Sequence, residues 1–148
     1  MKKVLILGGA GYIGGYTTDY LLSKGYDVSI FDKLVYETRY LKDVKFIYGD
    51  IRDTSHVIEV SKDFDVIVLM AALVGDPACS VDVELTDSIN RLAIKNICEG
   101  LNSSKHIIFM STCHDVNTLC FTNNGIKEYT DITLTDKVLT INTDTNKI

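Results

Sequence analysis

Three glycines, Gly8, Gly11 and Gly14, stand three residues apart directly after the apolar run Val4-Leu5-Ile6-Leu7. Eighteen residues past the last of them, behind a second apolar run (Val28-Ser29-Ile30-Phe31), comes Asp32, followed by Lys33. A strand that ends in glycines of this spacing and opens into a helix presents its backbone to a pyrophosphate. Gly8 allows the tight turn, Gly11 lets the phosphates approach the main chain, and Gly14 lets the helix pack closely on the strand. The helix begins near Tyr12, so Tyr12, Ile13 and Gly14 offer unpaired N–H groups and the positive end of the helix dipole to an anion. Asp32 is spaced to accept hydrogen bonds from the 2′- and 3′-hydroxyls of an adenosine ribose, and its charge repels a 2′-phosphate. The expected cofactor is therefore NAD rather than NADP, a preference that Lys33 weakens a little. Taken singly, the glycines could be an ordinary strand–helix turn and Asp32 a surface turn residue. Their combination specifies a dinucleotide.

Strands and helices must hold these residues in place, and their patterns alternate along the chain. Strand-like runs occupy 3–7, 28–31, 44–48, 66–70 and 106–110, each rich in Val, Ile or Phe. Their near-continuous apolarity suits strands buried on both faces of a parallel sheet. Helical spacing appears in Ile13, Tyr16, Thr17, Tyr20 and Leu21, and again in Leu85, Ile89, Leu92, Asn96/Ile97 and Gly100/Leu101. A shorter helix over 54–62 is capped by Asp53 or Thr54. Alternating β and α elements with right-handed crossovers predict an α/β, Rossmann-type doubly wound sheet of strand order 3-2-1-4-5. The cofactor is expected across the carboxyl ends of the strands.

Composition bounds the possibilities. A chain of 148 residues with 46% hydrophobic and 24% charged residues is that of a globular protein able to bury a sizeable core. A net charge of −5 and the absence of a basic cluster exclude a nucleic-acid surface. The longest apolar runs, such as Val66 to Val74, fall far short of the roughly 20 residues that span a bilayer. The run after Lys2-Lys3 ends in Gly8-Gly9 and reads as a strand rather than a signal peptide, so a cytoplasmic protein is expected. Cys79, Cys98, Cys113 and Cys120 form no Cys-x-x-Cys pair, and His56, His106 and His114 are scattered, so no metal is expected. Cys98 lies on the apolar side of a helical pattern and reads as a core residue.

Residues 1 to about 113 resemble the extended short-chain dehydrogenase/reductase family, in particular its NAD-dependent nucleotide-sugar epimerases and dehydratases. Gly8-Gly-Ala-Gly11-Tyr-Ile-Gly14 is worded as in that family. By the same resemblance, Asp50 in Tyr48-Gly-Asp50-Ile51 faces the adenine amino group and Ile51 packs on the ring. Ala71, Ala72 and Leu73 form the small-residue turn beside the cofactor ribose, and Asn90 falls near the active site. In Phe109-Met-Ser111-Thr112-Cys113 the hydroxyl that contacts the reacting oxygen is Thr112, with Ser111 second. Read structurally instead, Asp50 could cap a helix, the alanines could be tight packing, and Asn90 and Thr112 could serve local hydrogen bonds.

The resemblance implies hydride transfer between a sugar carbon and NAD, with a tyrosine exchanging the hydroxyl proton and a lysine lowering its pKa. Those two should stand as Tyr-x-x-x-Lys, one helical turn apart, some two to three dozen residues past Thr112. The only tyrosine after Tyr48 is Tyr129, and four residues later stands Thr133. Lys127, Tyr129 and Lys137 are weak substitutes. From Thr112 onward there are nine threonines and five asparagines, no proline and no amphipathic helix pattern. Residues 132–141 alternate weakly, as a hairpin or late edge strand would. The expected organisation is an NAD-binding domain over 1–113 and a diverged tail over 114–148, irregular or a β-hairpin, forming no separate domain.

Three readings follow. One is the NAD-binding part of a nucleotide-sugar epimerase or dehydratase, truncated and inactive alone, taking its nucleotide sugar only if a missing segment completes it. The second is an NAD-responsive module that acts through partner contacts at an open sheet edge. The third is a small oxidoreductase with an unusual proton donor. The missing Tyr-x-x-x-Lys pair leaves enzymatic activity undecided at this level.

Overall fold

The computed structural model describes residues 1–36, 42–101, 105–110, 119–122 and 125–128. The chain divides into two units, Met1–Met110 and Ser111–Ile148. The first holds β1 (Lys3–Leu7), α1 (Tyr12–Ser23), β2 (Asp27–Asp32), β3 (Lys45–Tyr48), α2 (Thr54–Ser61) and β4 (Val66–Leu69). It continues with α3 (Asp76–Val81), α4 (Val83–Asp87), a π-helical segment (Ser88–Ala93), α5 (Ile94–Gly100) and β5 (His106–Phe109). The five strands form one parallel sheet in the order β3-β2-β1-β4-β5. Leu7 pairs with both Phe31 and Leu69, Asp32 with Tyr48, and Leu69 with Phe109. The carboxyl ends of all five strands therefore line one edge, and strand order reverses beside β1. That is where ligands bind in open α/β sheets.

Side chains alternate across the strands and so build two cores. Leu5, Leu7, Phe31, Ile67 and Leu69 face Val57 of α2 and Ala93 and Ile97 of the long helical stretch. Val4, Ile6, Val28, Ile30 and Val68 face the other way, with Leu21 of α1 packed against them. Helices thus cover both faces of the sheet. Each fully buried Leu, Ile or Phe contributes about 1.5–3 kcal/mol relative to exposure. The edge strands β3 and β5 are only partly buried.

Local signals account for the helix ends. Asp53, rather than Thr54, caps α2, its carboxylate accepting the His56 N–H at 3.1 Å. At the end of α1, Tyr26 N donates to Leu21 O and Gly25 N to Leu22 O, at 3.1 and 3.0 Å. Gly25 closes this Schellman motif with φ +80°, a conformation that costs a side-chain-bearing residue about 1–2 kcal/mol.

Two helical patterns resolve differently from their spacing. Most of the apolar stripe of α1 turns outward: Ile13, Tyr16 and Tyr20 are exposed, Leu21 alone of its large residues packs on the core, and the buried residues are Gly14 and Thr18. The helix lies too close to the glycine turn for large side chains, and Thr18 returns its hydroxyl to Gly14 O at 2.7 Å. Likewise the stretch 83–100 is not one α-helix. Its π-helical turn shifts the register, so that Leu92 faces solvent while Ala93 and Ile97 are buried. The same shift leaves Cys98 exposed, which corrects its reading as a core residue.

In the second unit β6 (Leu119–Thr122) and β7 (Gly125–Glu128) pair antiparallel, with Thr122 opposite Gly125. A tail hairpin therefore exists at a position other than the 132–141 segment. That segment, with Ser111, Thr112, Cys113, Tyr129, Thr133 and Lys137, lies outside the described residues.

Candidate cofactor site

The glycine turn joins β1 to α1 at the carboxyl edge of the sheet, and each of its glycines meets a different constraint. Gly8 has φ +86°, and a Cβ there would lie 2.4 Å from the backbone nitrogen of Ala71. Only glycine fits, because Met70 N is tied to Leu7 O at 2.9 Å and draws the turn after β4 against the turn after β1. Gly14 would place a Cβ 2.7 Å from both Gly8 O and Gly9 Cα, so its bare backbone sets the approach of α1 to the turn. Gly11 differs. Its φ of −72° suits any residue, and a Cβ there would meet only Gly8 O, at 3.6 Å. No neighbour in the protein requires glycine at this position, and the space in front of it is open. Gly15 N closes the first helical turn onto Gly11 O at 2.8 Å. The N–H groups of Tyr12, Ile13 and Gly14 therefore point out of the helix end. Tyr12 and Ile13 are exposed there.

Asp32 closes the next side. Its Oδ2 accepts the Ala10 N–H at 3.0 Å and its Oδ1 accepts the Leu34 N–H at 2.7 Å. The first bond ties the end of β2 to the glycine turn. The second holds Leu34 in the left-handed region, at φ +58°. Each carboxylate oxygen keeps a second lone pair for a hydroxyl donor.

Beyond β3, Gly49 N donates to Asp32 O at 3.0 Å, and the ring of Phe31 fills the space a Gly49 side chain would need. Asp50 follows at once and caps no helix. Its carboxylate accepts Arg52 Nε at 3.0 Å, Arg52 Nη2 at 2.6 Å, Arg52 N at 3.0 Å and Lys33 Nζ at 2.8 Å. The Arg52 guanidinium above all, and then Lys33, hold this carboxyl well below the usual carboxylate range despite partial burial. Ile51 is a core residue beneath the loop, 6% exposed.

After β4, Ala71 is partly buried against the core and Ala72 is exposed. Leu73 is gripped at both ends of its backbone by one side chain: its N–H donates to Asn90 Oδ1 at 2.9 Å, and Asn90 Nδ2 donates to its carbonyl at 2.8 Å. Asn90 sits in the π-helical turn, which aims the amide across at the loop. Arg52 and this clamp escape motif reading, because both act through contacts that need the folded geometry. The Asn90 position in the motif was the signal available.

Gly8, Gly11, Tyr12, Ile13, Gly14, Asp32, Lys33, Asp50, Ile51, Ala71, Ala72 and Leu73 thus lie along one edge, on the loops after β1, β2, β3 and β4. Among the described residues no group of three or more His, Cys, Asp or Glu side chains could hold a metal ion, and no helix is long and apolar enough to cross a membrane.

A parallel sheet of order 3-2-1-4-5, with a glycine turn opening a helix and an acid at the end of β2, defines a dinucleotide-binding domain. Residues 4–122 match the NAD dependent epimerase/dehydratase family. The chain belongs to that family, and its cofactor is NAD. It is 35% identical over 115 residues to a UDP-glucose 4-epimerase of Lacticaseibacillus casei, an alignment covering 74% of this chain and 35% of that protein. It is 30% identical over 118 residues to a UDP-N-acetyl-alpha-D-glucosaminuronate decarboxylase of Bacillus cytotoxicus, covering 75% of this chain and 36% of that protein. The Thermus thermophilus UDP-glucose 4-epimerase, solved in complex with NAD, superposes with a TM-score of 0.61 at 30% identity, over 66% of this chain and 33% of that one. The chain spans about a third of the length of these relatives.

Proposed function

We propose that residues 1–113 form the NAD-binding half of a nucleotide-sugar epimerase or dehydratase, and that this chain alone binds NAD without turning over a nucleotide sugar. The observation that carries the reading is Gly11, a glycine that the protein's own packing does not require, with open space before it at the N-terminus of α1. In this reading the pyrophosphate lies against Gly8, Gly11 and the N–H groups of Tyr12, Ile13 and Gly14. Asp32 accepts the ribose hydroxyls through its remaining lone pairs, with Lys33 beside it. Asp50, held in place by Arg52 and Lys33, receives the adenine amino group, and Ile51 packs on the ring. Ala71, Ala72 and Leu73 leave room for the second ribose.

NAD, when bound, supplies reversible hydride transfer at a sugar carbon. The chain's own contribution to that chemistry is Thr112, whose hydroxyl orients the reacting oxygen. A proton carrier of the Tyr-x-x-x-Lys kind is missing from the sequence given, and losing a general acid–base typically costs about 10²–10⁴ in rate. An isomerase acting on a UDP-sugar such as UDP-glucose is the activity favoured once a complementing segment is supplied, since several similar proteins carry the name UDP-glucose 4-epimerase. The tail over 114–148 adds no separate domain. A cytoplasmic location fits reduced cysteines, and neither nucleic acid nor a membrane is a partner.

Calorimetry of the purified chain with NAD and NADP, with the melting temperature followed in parallel, tests the reading. Saturable NAD binding with thermal stabilisation and no conversion of UDP-glucose to its 4-epimer is the expected result. Absence of NAD binding by a cooperatively melting chain overturns it.

A second reading, an NAD-responsive binding module, draws on the edge strand β5, where Phe109 and Met110 are 52% and 53% exposed. Sedimentation with and without NAD distinguishes it. An NAD-dependent change in association supports the module.

A further inference from the structure

Two cations stand close to the place where an adenosine 2′-position is expected. Lys33 follows Asp32 at the end of β2, and Arg52 lies four residues past Tyr48, the register partner of Asp32. Cations so placed would ordinarily favour a 2′-phosphate over a hydroxyl. In the fold both are engaged elsewhere. Asp50 takes Lys33 Nζ at 2.8 Å and Arg52 Nη2 at 2.6 Å, while Asp32 is engaged by the backbone N–H groups of Ala10 and Leu34. The Lys33 and Arg52 side chains are 45% and 38% exposed, on long stems that could swing if released.

We infer that Asp50 is a charge latch that reinforces the choice of NAD over NADP by holding Lys33, and with it Arg52, away from the 2′-position. This rests on the NAD-binding reading above. The charges of Asp32, Lys33, Asp50 and Arg52 cancel. Removing that of Asp50 makes the cluster cationic and frees an ammonium next to the ribose-binding acid. NADP adds a phosphate carrying about −1.5 to −2 charges at neutral pH, so it gains from this release where NAD does not. Asp32 sets the basal preference, and Asp50 prevents its neighbour from undoing it.

The test is a set of binding isotherms for NAD and NADP with the parent chain, Asp50→Asn, Lys33→Met and the double variant, at low ionic strength. Asp50→Asn keeps an acceptor for the adenine amino group but loses the charge. The ratio of the two dissociation constants is expected to move about tenfold toward NADP, as one unit charge at close range allows. Lys33→Met alone, removing a cation already held, is expected to move the ratio less than about twofold, yet in the Asp50→Asn background it should cut the gain to the share that Arg52 supplies. Asp50→Ser, which removes the charge with a smaller side chain, should shift the ratio like Asp50→Asn and serves if the latter melts abnormally. An unchanged ratio in both Asp50 variants, while the parent binds NAD, overturns the latch and leaves the NAD reading intact. A gain that survives undiminished in the double variant overturns the role of Lys33. If the parent binds neither nucleotide, the NAD reading fails and the latch with it.

Discussion

The Asp32 carboxylate accepts the Ala10 N–H at 3.0 Å, joining the end of β2 to the middle of the glycine turn. The acid expected to read a ribose also fixes the loop expected to hold the pyrophosphate. The two loops are thereby coupled through a single side chain.

Asp32→Ala should therefore lose affinity and stability together. Two hydrogen bonds to a charged acceptor disappear, and Leu34 loses the partner that holds its left-handed backbone. A loss of about 1–3 kcal/mol in urea denaturation and at least about tenfold in NAD affinity is expected. Asp32→Asn, which keeps one acceptor oxygen, should cost less. An unaltered NAD isotherm for Asp32→Ala would remove this residue from the site.

Gly8 and Gly11 should separate folding from binding. Gly8→Ala drives a Cβ into the Ala71 backbone at positive φ and should destabilise the domain by about 3 kcal/mol or more, seen as a lowered denaturation midpoint. Gly11→Ala adds a Cβ that meets only Gly8 O, at 3.6 Å, so its midpoint should stay near that of the parent while its NAD affinity falls. Equal destabilisation by the two would contradict the open space seen at Gly11.

Asn90 should matter through Leu73. Asn90→Ala removes both hydrogen bonds to that backbone and is expected to cost about 1–2 kcal/mol. Asn90→Asp, an acceptor without a donor, should restore only the bond from the Leu73 N–H. Amide hydrogen exchange at Leu73 is the direct measure, rising most in Asn90→Ala and least in the parent.

Asp50 predicts a signature in acid. Its carboxyl is held well below the usual carboxylate range, by Arg52 first, so the folded state favours its charged form. That stabilisation is fully present above the unfolded-state pKa, near 4, and is lost progressively as pH falls below it toward the folded value. The stability difference between the parent and Asp50→Asn should accordingly be constant from about pH 5 to 7 and shrink below about pH 4. A difference that persists unchanged at about pH 2.5 would mean that the ion pairs contribute little.

Strand order was readable because a parallel sheet buries β1, β2 and β4 on both faces and so writes them as unbroken runs of Val, Ile, Leu and Phe. The glycine turn was readable because Gly8 and Gly14 leave no room for a side chain and Gly11 repeats their spacing. The buried face of α1 was not. Periodicity ranked Ile13, Tyr16 and Tyr20 as apolar, whereas the close approach of helix to turn admitted only Gly14 and Thr18. The register shift that turns Leu92 and Cys98 outward was equally silent, because a π-helical turn answers to packing and to the Asn90–Leu73 contact rather than to local propensity.

Constraints acting within a few residues were settled by the chain itself: where strands lie, where Gly8 must turn, that α2 begins at Asp53 or Thr54 and which acid ends β2. Relations between residues far apart in sequence needed the fold. That the Ala71 backbone excludes a side chain at Gly8, that Asp32 grips Ala10, that Asn90 holds Leu73 and that Lys33 is bound to Asp50 all depend on strand ends brought side by side. Such contacts arise at distances of a few ångströms between residues 17 to 63 positions apart. Spacing along the chain carries no record of them, since it is the sheet register that sets those distances.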